Sequence, residues 1–393
     1  MTLPSALSLF AVAPPGLESV VAAELVELGL SPCKAVPGGV EFTGDVAALC
    51  RANLHLRCAH RILWRLGAFS ASKLPELRHK TALLPWALVA TPGARVRLRV
   101  TCHASRIYHS GAAAERIMQG IGEALGGAVE KAAPSADDED ADAAELVVVA
   151  RIVKNEVTLS VDSSGEHLHR RGYRQRVCKA PLRETLAACC LRLCGWPPAS
   201  ADAAFLDPMC GSGTLVIEAA LAAAHMAPGL SRSFACERWP TFAGATLARA
   251  KQQARALVRS PAMVFCGSDR DVGAVAAATE NAERAGVSAF VRFEHRAISA
   301  ARPSGPHGLL LTNPPYGARL GEVMRLRDLY ASLGNVYRRY FPTWRLAFLA
   351  SSPQLVHAVQ TSGVTVAPLG PILDNGGLKV RLYSPQGVAS SPT

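Results

Sequence analysis

Apolar positions in the first part of the chain recur in the order strand, helix, strand, helix. Leu7 to Ala13 is a short apolar run closed by Pro14-Pro15-Gly16, and no basic residue precedes it, so it reads as a strand and not a signal peptide. Leu17, Val20, Val21, Leu25 and Leu28 follow at helical spacing, and Val40 and Phe42 alternate after Gly38-Gly39 as in a half-buried strand. Val96, Leu98 and Val100 then alternate with Arg95, Arg97 and Arg99, which predicts a strand with one basic face, either solvated or in contact with RNA. A helix is predicted over Ala112 to Leu125. The acidic stretch from Asp137 to Glu145 is too polar for a core and reads as a surface loop. Leu146 to Val153 and Val157 to Val161, joined by Lys154-Asn155-Glu156, read as a hairpin.

Beyond residue 200 the pattern changes. Ala204 to Asp207, Met263 to Asp269, Phe290 to Glu294, Leu309 to Asn313, Arg345 to Ala350 and Leu378 to Tyr383 are short β-rich runs separated by helical segments. Alternation of this kind predicts an α/β fold with a mainly parallel, doubly wound sheet, in which ligands sit at the carboxyl ends of the strands.

Composition narrows the class. With 393 residues, 49% hydrophobic and 19% charged, the chain is globular and long enough for two or three cores. A net charge of +11 and a pI near 9.3 favour a polyanionic partner. Eleven cysteines without a Cys-x-x-Cys pair read as reduced thiols in a cytoplasmic protein. Cys189, Cys190 and Cys194 read as small buried hydrophobes, and no metal site is expected. Leu346 to Leu373 carries no charged residue but is interrupted by Ser351, Ser352, Pro353, Gln354, Gln360 and Pro368, so no membrane span is expected.

Three features carry candidate chemistry. Asp207 ends a strand, and Pro208-Met209-Cys210-Gly211-Ser212-Gly213 turns the chain into a helix beginning near Thr214, where the backbone can approach a ligand and unpaired N–H groups face it. Asp269 ends the next strand and is a candidate acceptor for a ribose diol; the other reading of it is a helix cap, a role that Asp271 can fill instead. Asn313-Pro314-Pro315-Tyr316 follows the apolar strand at Leu309. There an amide oxygen and a carbonyl with no donor beside it can accept both hydrogens of an amino group, while the Tyr316 ring can stack on a base swung out of its helix. Between the halves, Arg170, Arg171, Arg174, Arg176, Lys179 and Arg183 surround Tyr173 with no acidic residue from His167 to Arg183. That cluster reads as an RNA-binding linker, with Arg170, Arg171, Tyr173, Arg174 and Lys179 as the candidate contacts; a solvated linker is the plainer reading.

Taken together, Gly38 to Asp45, Leu168 to Arg174, Ala180 to Ala187, Asp207 to Ala220 and Asn313 to Leu320 resemble the THUMP-containing guanine-N2 methyltransferases of large-subunit ribosomal RNA, notably the N-terminal half of the enterobacterial two-methyltransferase fusion. The resemblance implies a ferredoxin-like unit over 1–55, a THUMP domain that docks RNA over 56–165, a basic linker and helix over 166–200, and a class I, Rossmann-like, seven-stranded methyltransferase domain over 201–393. It implies S-adenosyl-L-methionine as cofactor, held by Asp207, Pro208, Cys210, Gly211, Gly213, Thr214 and Asp269, with Pro181 and Thr185 near its methionine end. Asn313, Pro314 and Tyr316 would hold the guanine. Two positions depart from the family pattern: Ala297, where an aspartate often stands near the adenine amino group, and Ala318, where a glutamate follows the Pro-Pro-Tyr-Gly turn. The sequence ends at Thr393, and a second methyltransferase domain is not expected. Competing readings are an N6-adenine methyltransferase on RNA or DNA, a transfer-RNA guanine-N2 methyltransferase, a non-catalytic ribosome-assembly factor and a small-molecule methyltransferase.

Overall fold

The computed structural model describes residues 3–132, 145–176, 182–198, 203–317 and 320–385. The chain divides into two compact units: Met1–Ala13, Val21–Leu168 and Arg232–Gln252 form one, and Pro14–Val20, His169–Ser231 and Gln253–Thr393 the other.

The first unit is built on one eight-stranded sheet. Its strands are β1 (Leu7–Val12), β2 (Cys33–Val36), β3 (Gly39–Gly44), β4 (Arg61–Ser70), β5 (Arg95–His103), β6 (Glu130–Lys131), β7 (Leu146–Val153) and β8 (Glu156–Asp162), in the order β2-β3-β1-β4-β8-β7-β5-β6. Because β1 pairs antiparallel with β4, the expected division after residue 55 falls inside a continuous sheet. The helices are α1 (Glu18–Glu27), α2 (Val46–His55), α3 (Leu74–Ala82) and α4 (Ser110–Leu125). The Asp45 side chain starts α2 by accepting the Ala48 N–H at 2.8 Å. The β7–β8 hairpin forms with Lys154 and Asn155 at φ of 52° and 68°, the left-handed pair that a two-residue turn requires. Glu145 departs from expectation: it is buried, and it accepts hydrogen bonds from Arg97 at 2.6 Å and Arg95 at 3.3 Å. The end of the acidic stretch therefore neutralises part of the basic face of β5 instead of facing solvent.

The second unit holds β9 (Ala204–Asp207), β10 (Val264–Asp269), β11 (Val291–His295), β12 (Gly308–Thr312), β13 (Trp344–Ala350), β14 (Val366–Asn375) and β15 (Leu378–Pro385). Their order is β11-β10-β9-β12-β13-β15-β14, parallel through β13 and antiparallel in the last two. The accompanying helices are α5 (Glu184–Leu193), α6 (Thr214–Ala223), α8 (Val272–Ala285), α9 (Leu320–Tyr340) and α10 (Pro353–Gln360), while most of α7 (Gly244–Ala256) belongs to the first unit. This is the doubly wound arrangement that the pattern predicts, with the seven strands that the resemblance implies. The strand order reverses between β9 and β12, which opens a crevice at their carboxyl ends. The sequence reading enumerates six of the seven strands. It misses β14, which carries Pro368, Gly370 and Pro371 and shifts register between Pro368 and Ile372; an edge strand tolerates these residues because one side of it needs no ladder bonds. Cys189, Cys190 and Cys194 are buried, and burial pushes the Cys194 thiol up to about 12. No described helix is long and apolar enough to cross a membrane.

Candidate functional site

The crevice is a cavity of about 1270 Å³ within the second unit. A small nucleoside ligand needs about 300–1,000 Å³, so the space suffices for such a ligand with a second group beside it. At one end, Asp207 closes β9 and the chain turns into α6. Gly211 and Gly213 hold φ of 52° and 86°, a region that side chains with a Cβ enter only with strain. The two glycines serve different ends. A Cβ at Gly213 would meet the Ala278 Cβ and the Phe293 ring at 3.0 Å, so this glycine lets α6 seat against its neighbours. Its chain neighbours aside, a Cβ at Gly211 would meet no atom of the described residues within 4 Å, and Gly211 lines the cavity, so this glycine leaves room for something bound.

The carboxylates hold the turn. Asp269, half-buried at the end of β10, accepts the Gly211 N–H at 3.0 Å through one oxygen and the Asp271 N–H at 3.0 Å through the other. Asp271 caps α8 by accepting the Gly273 and Ala274 N–H groups. The capping role thus belongs to Asp271, and Asp269 is left at the cavity wall. Asp207 is 2% exposed and accepts the Met209 N–H at 3.1 Å and the Thr312 hydroxyl at 2.6 Å. Burial pushes its carboxyl up to about 7, against the pull of those two hydrogen bonds and with the Asp269 charge adding to the rise.

Across the cavity, β12 ends at Thr312 and delivers Asn313, Pro314, Pro315, Tyr316 and Gly317 to the wall. Asn313 is half-buried and Tyr316 is buried. The Tyr316 hydroxyl donates to Asn313 Oδ1 at 2.6 Å and accepts from Asn375 Nδ2 at 3.1 Å, while Ser351 Oγ donates to the Tyr316 carbonyl at 3.0 Å. The residue is therefore held at its backbone carbonyl and at its phenolic hydroxyl, with the hydroxyl turned onto Asn313. Ala274, Ala277, Ala297, Ile298, Leu329 and Leu378 give the cavity apolar wall, and Arg176, Arg270 and Arg325 stand at it as cations.

The structure brings together Asp207, Pro208, Cys210, Gly211, Thr214, Asp269, Asn313, Pro314 and Tyr316 around this one space. Thr185 is not in the cavity lining: it is fully buried on α5 and its hydroxyl has no hydrogen-bond partner among the described residues, while Leu182 lines the cavity. Pro181, Lys179 and Ala318 lie outside the described residues.

The expected RNA-binding cluster needs correction. Arg171 is buried and pairs with Glu218 at 3.0 Å; Tyr173 is buried and donates its hydroxyl to the other Glu218 oxygen at 2.9 Å. Arg174 pairs with Glu184 at 3.0 Å and donates to the Leu182 carbonyl. The segment itself lacks acids, but α6 and α5 supply them, so these three side chains knit the unit together instead of facing a polyanion. Arg170 is half-buried. Sequence reasoning also missed Asn281 on α8, whose amide donates to the Arg176 and Ser212 carbonyls at 2.9 and 3.1 Å and so staples one cavity wall to the glycine turn. The available signal was a polar residue on a helix face otherwise built from Ala274, Ala277, Ala278 and Ala282.

Comparison with known proteins agrees with this geometry. The RMKL-like methyltransferase domain matches residues 171–370, and the RlmL ferredoxin-like domain matches 8–63. The chain is 38% identical over 395 residues to the ribosomal RNA large subunit methyltransferase K/L of Syntrophotalea carbinolica, covering 96% of this chain and 53% of that one. It is 35% identical over 354 residues to YpsC of Bacillus subtilis, covering 89% of each. The chain spans about half the length of the curated relatives named K/L that it matches. Among solved structures, SMU.472 complexed with SAH superposes with a TM-score of 0.83 at 27% identity, over 99% of this chain and all of that one. The seven-stranded unit is a class I methyltransferase domain, and the chain belongs to the RMKL-like methyltransferase family.

Proposed function

We propose that the protein is an S-adenosyl-L-methionine-dependent RNA methyltransferase that modifies N2 of a guanine in large-subunit ribosomal RNA. The observation that carries this reading is that the Gly211 turn with its carboxylates and the Asn313-Pro314-Pro315-Tyr316 turn face one cavity. S-adenosyl-L-methionine supplies, when bound, an electrophilic methyl group on a sulfonium. Its fit to this wall rests on the open space at Gly211, on Asp269 as acceptor for ribose hydroxyls, and on the apolar surface of Ala274, Ala277, Ala297 and Ile298 for a purine ring. Ala297 offers no carboxylate to an adenine amino group, so recognition there falls to backbone atoms.

At the other wall, Asn313 Oδ1 and the Pro314 carbonyl, beside which Pro315 has no N–H, accept the two hydrogens of an amino group. Holding both hydrogens favours a pyramidal nitrogen with its lone pair free of the ring, and stabilises the charge that develops on it. Proximity and orientation do the rest, without a covalent enzyme intermediate.

The RNA partner is supported by the net charge of +11, by relatives that carry a ribosomal RNA methyltransferase name, and by a surface on the first unit, which we read as including a THUMP domain. There Tyr108 is 81% exposed, close in sequence to Arg106. Arg106 N–H donates to Asn155 Oδ1 at 2.8 Å and Asn155 N–H to Ser105 Oγ at 3.0 Å, which ties the loop to the β7–β8 turn beside Lys154. Ala104, in the same loop, holds φ of 47°, a left-handed conformation that strains a residue with a Cβ and that the hairpin turn does not require. Action on ribosomal RNA, with scattered free thiols, fits a cytoplasmic protein. The test is transfer of labelled methyl to unmodified large-subunit RNA, small-subunit RNA and transfer RNA in parallel: label on the large-subunit RNA supports the reading, and label on transfer RNA alone overturns the ribosomal assignment.

A further inference from the structure

We infer that Asn375 is a positioning residue for methyl transfer: its amide N–H, donated to the Tyr316 hydroxyl, aims that hydroxyl's proton at Asn313 Oδ1 and so fixes how the Asn313 amide faces the incoming amine. The inference rests on the proposed function in that Asn313 holds the amine. Asn375 is the last residue of β14, the strand that the sequence pattern does not reveal.

A tyrosine hydroxyl has one proton to give and can accept others. Asn375 Nδ2 gives to it at 3.1 Å, so the phenolic proton has no acceptor on that side and goes to Asn313 Oδ1 at 2.6 Å. Tyr316 is 2% exposed and Asn375 6%, which leaves little access for water to take either place. If the Asn313 amide turned over, its NH2 would meet the phenol and the buried hydroxyl proton would lose its acceptor, at a cost that keeps the amide as it is. Oδ1 then has one lone pair engaged and a second for a substrate N–H. Burial pushes the Tyr316 phenol above its ordinary value, so the proton stays on the hydroxyl at working pH.

The hairpin that carries Asn375 is built for fixed register. Gly376 and Gly377, with φ of 64° and 87°, form a two-residue turn, and Gly377 N–H donates to Asp374 Oδ1 at 2.7 Å. Asn375 pairs with Leu378, whose side of the turn reaches the cavity wall. One hairpin thus supplies both a wall of the cavity and the outer end of the hydrogen-bond chain, and the Ser351 bond to the Tyr316 carbonyl holds the other end of that residue.

The test compares wild type, Asn375→Leu, which removes the donor at similar size, and Asn375→Asp, which replaces it with an acceptor. Both variants are expected to lower the single-turnover rate on unmodified large-subunit RNA by about 10- to 100-fold, with affinity for S-adenosyl-L-homocysteine unchanged as the check on folding. In a Tyr316→Phe background, Asn375→Leu is expected to cause no further loss, since the chain of bonds is already cut. Selective asparagine labelling with ¹⁵N gives a readout free of activity: the Asn313 side-chain amide resonance, assigned by its loss in Asn313→Asp, shifts in Asn375→Leu and in Tyr316→Phe alike. Full rates in both Asn375 variants, additive losses in the double variant, or an unmoved Asn313 resonance would each overturn the inference. Wild type that transfers no methyl to any RNA would sink the proposed function instead, and the resonance then decides the relay by itself.

Discussion

The Thr312 hydroxyl donates to the buried Asp207 carboxylate at 2.6 Å. One bond therefore links the residue that opens the glycine turn to the residue that precedes Asn313, and the two walls of the cavity share a support. The same burial that makes this bond effective pushes the Asp207 carboxyl from 3.8 up to about 7. The folded protein then holds a proton that the unfolded chain has already released, so stability is full below the ordinary carboxylate range and declines as pH rises through about 7. Urea midpoints are expected to fall across that window and level off above it. Asp207→Asn should flatten the slope; an unaltered slope would contradict the assignment.

Gly211→Ala and Gly213→Ala separate binding from folding. Both impose a left-handed conformation on a residue with a Cβ, at about 1–2 kcal/mol. Gly213→Ala adds contacts at 3.0 Å with Ala278 and Phe293 and should destabilise more. Gly211→Ala should fold close to normally yet lose affinity for S-adenosyl-L-homocysteine in calorimetry. Undiminished affinity would remove the turn from the cofactor site.

Arg171 tests whether the basic segment serves structure. Arg171→Ala leaves Glu218 buried without its ion pair, which costs about 3–5 kcal/mol, and should lower the melting temperature sharply. If instead the variant melts like wild type and loses RNA affinity in a salt-dependent way, the segment faces RNA after all.

Tyr108 tests the surface of the first unit. Tyr108→Ala removes an exposed ring and should weaken RNA binding by about 1–3 kcal/mol per stacked base, while the melting temperature and cofactor affinity hold. Binding equal to wild type in filter or anisotropy titrations would remove this loop from the RNA path.

What was legible in the sequence was what local signals encode. Asp207 with its glycine turn, Asp269, the strand-end Asn313 and the β7–β8 hairpin all lie where the pattern puts them, because strand periodicity, turn chemistry and glycine spacing act over a few residues. What failed depended on partners distant in sequence. Arg171, Tyr173 and Arg174 look like an unpaired basic cluster until α5 and α6 bring Glu184 and Glu218 to them. Glu145 looks like part of a polar loop until β5 presents Arg95 and Arg97. Asn375 could not be found from sequence at all, since Pro368, Gly370 and Pro371 break the alternation that would have revealed β14.

The most direct test of the central claim is the identity of the modified nucleoside. Wild type and Asn313→Ala are incubated with labelled S-adenosyl-L-methionine and unmodified large-subunit RNA, and the digested nucleosides are resolved by mass spectrometry. N2-methylguanosine is predicted for wild type, with a loss of about 100- to 1,000-fold in Asn313→Ala at retained cofactor affinity. N6-methyladenosine, or full turnover without the Asn313 amide, would contradict the account.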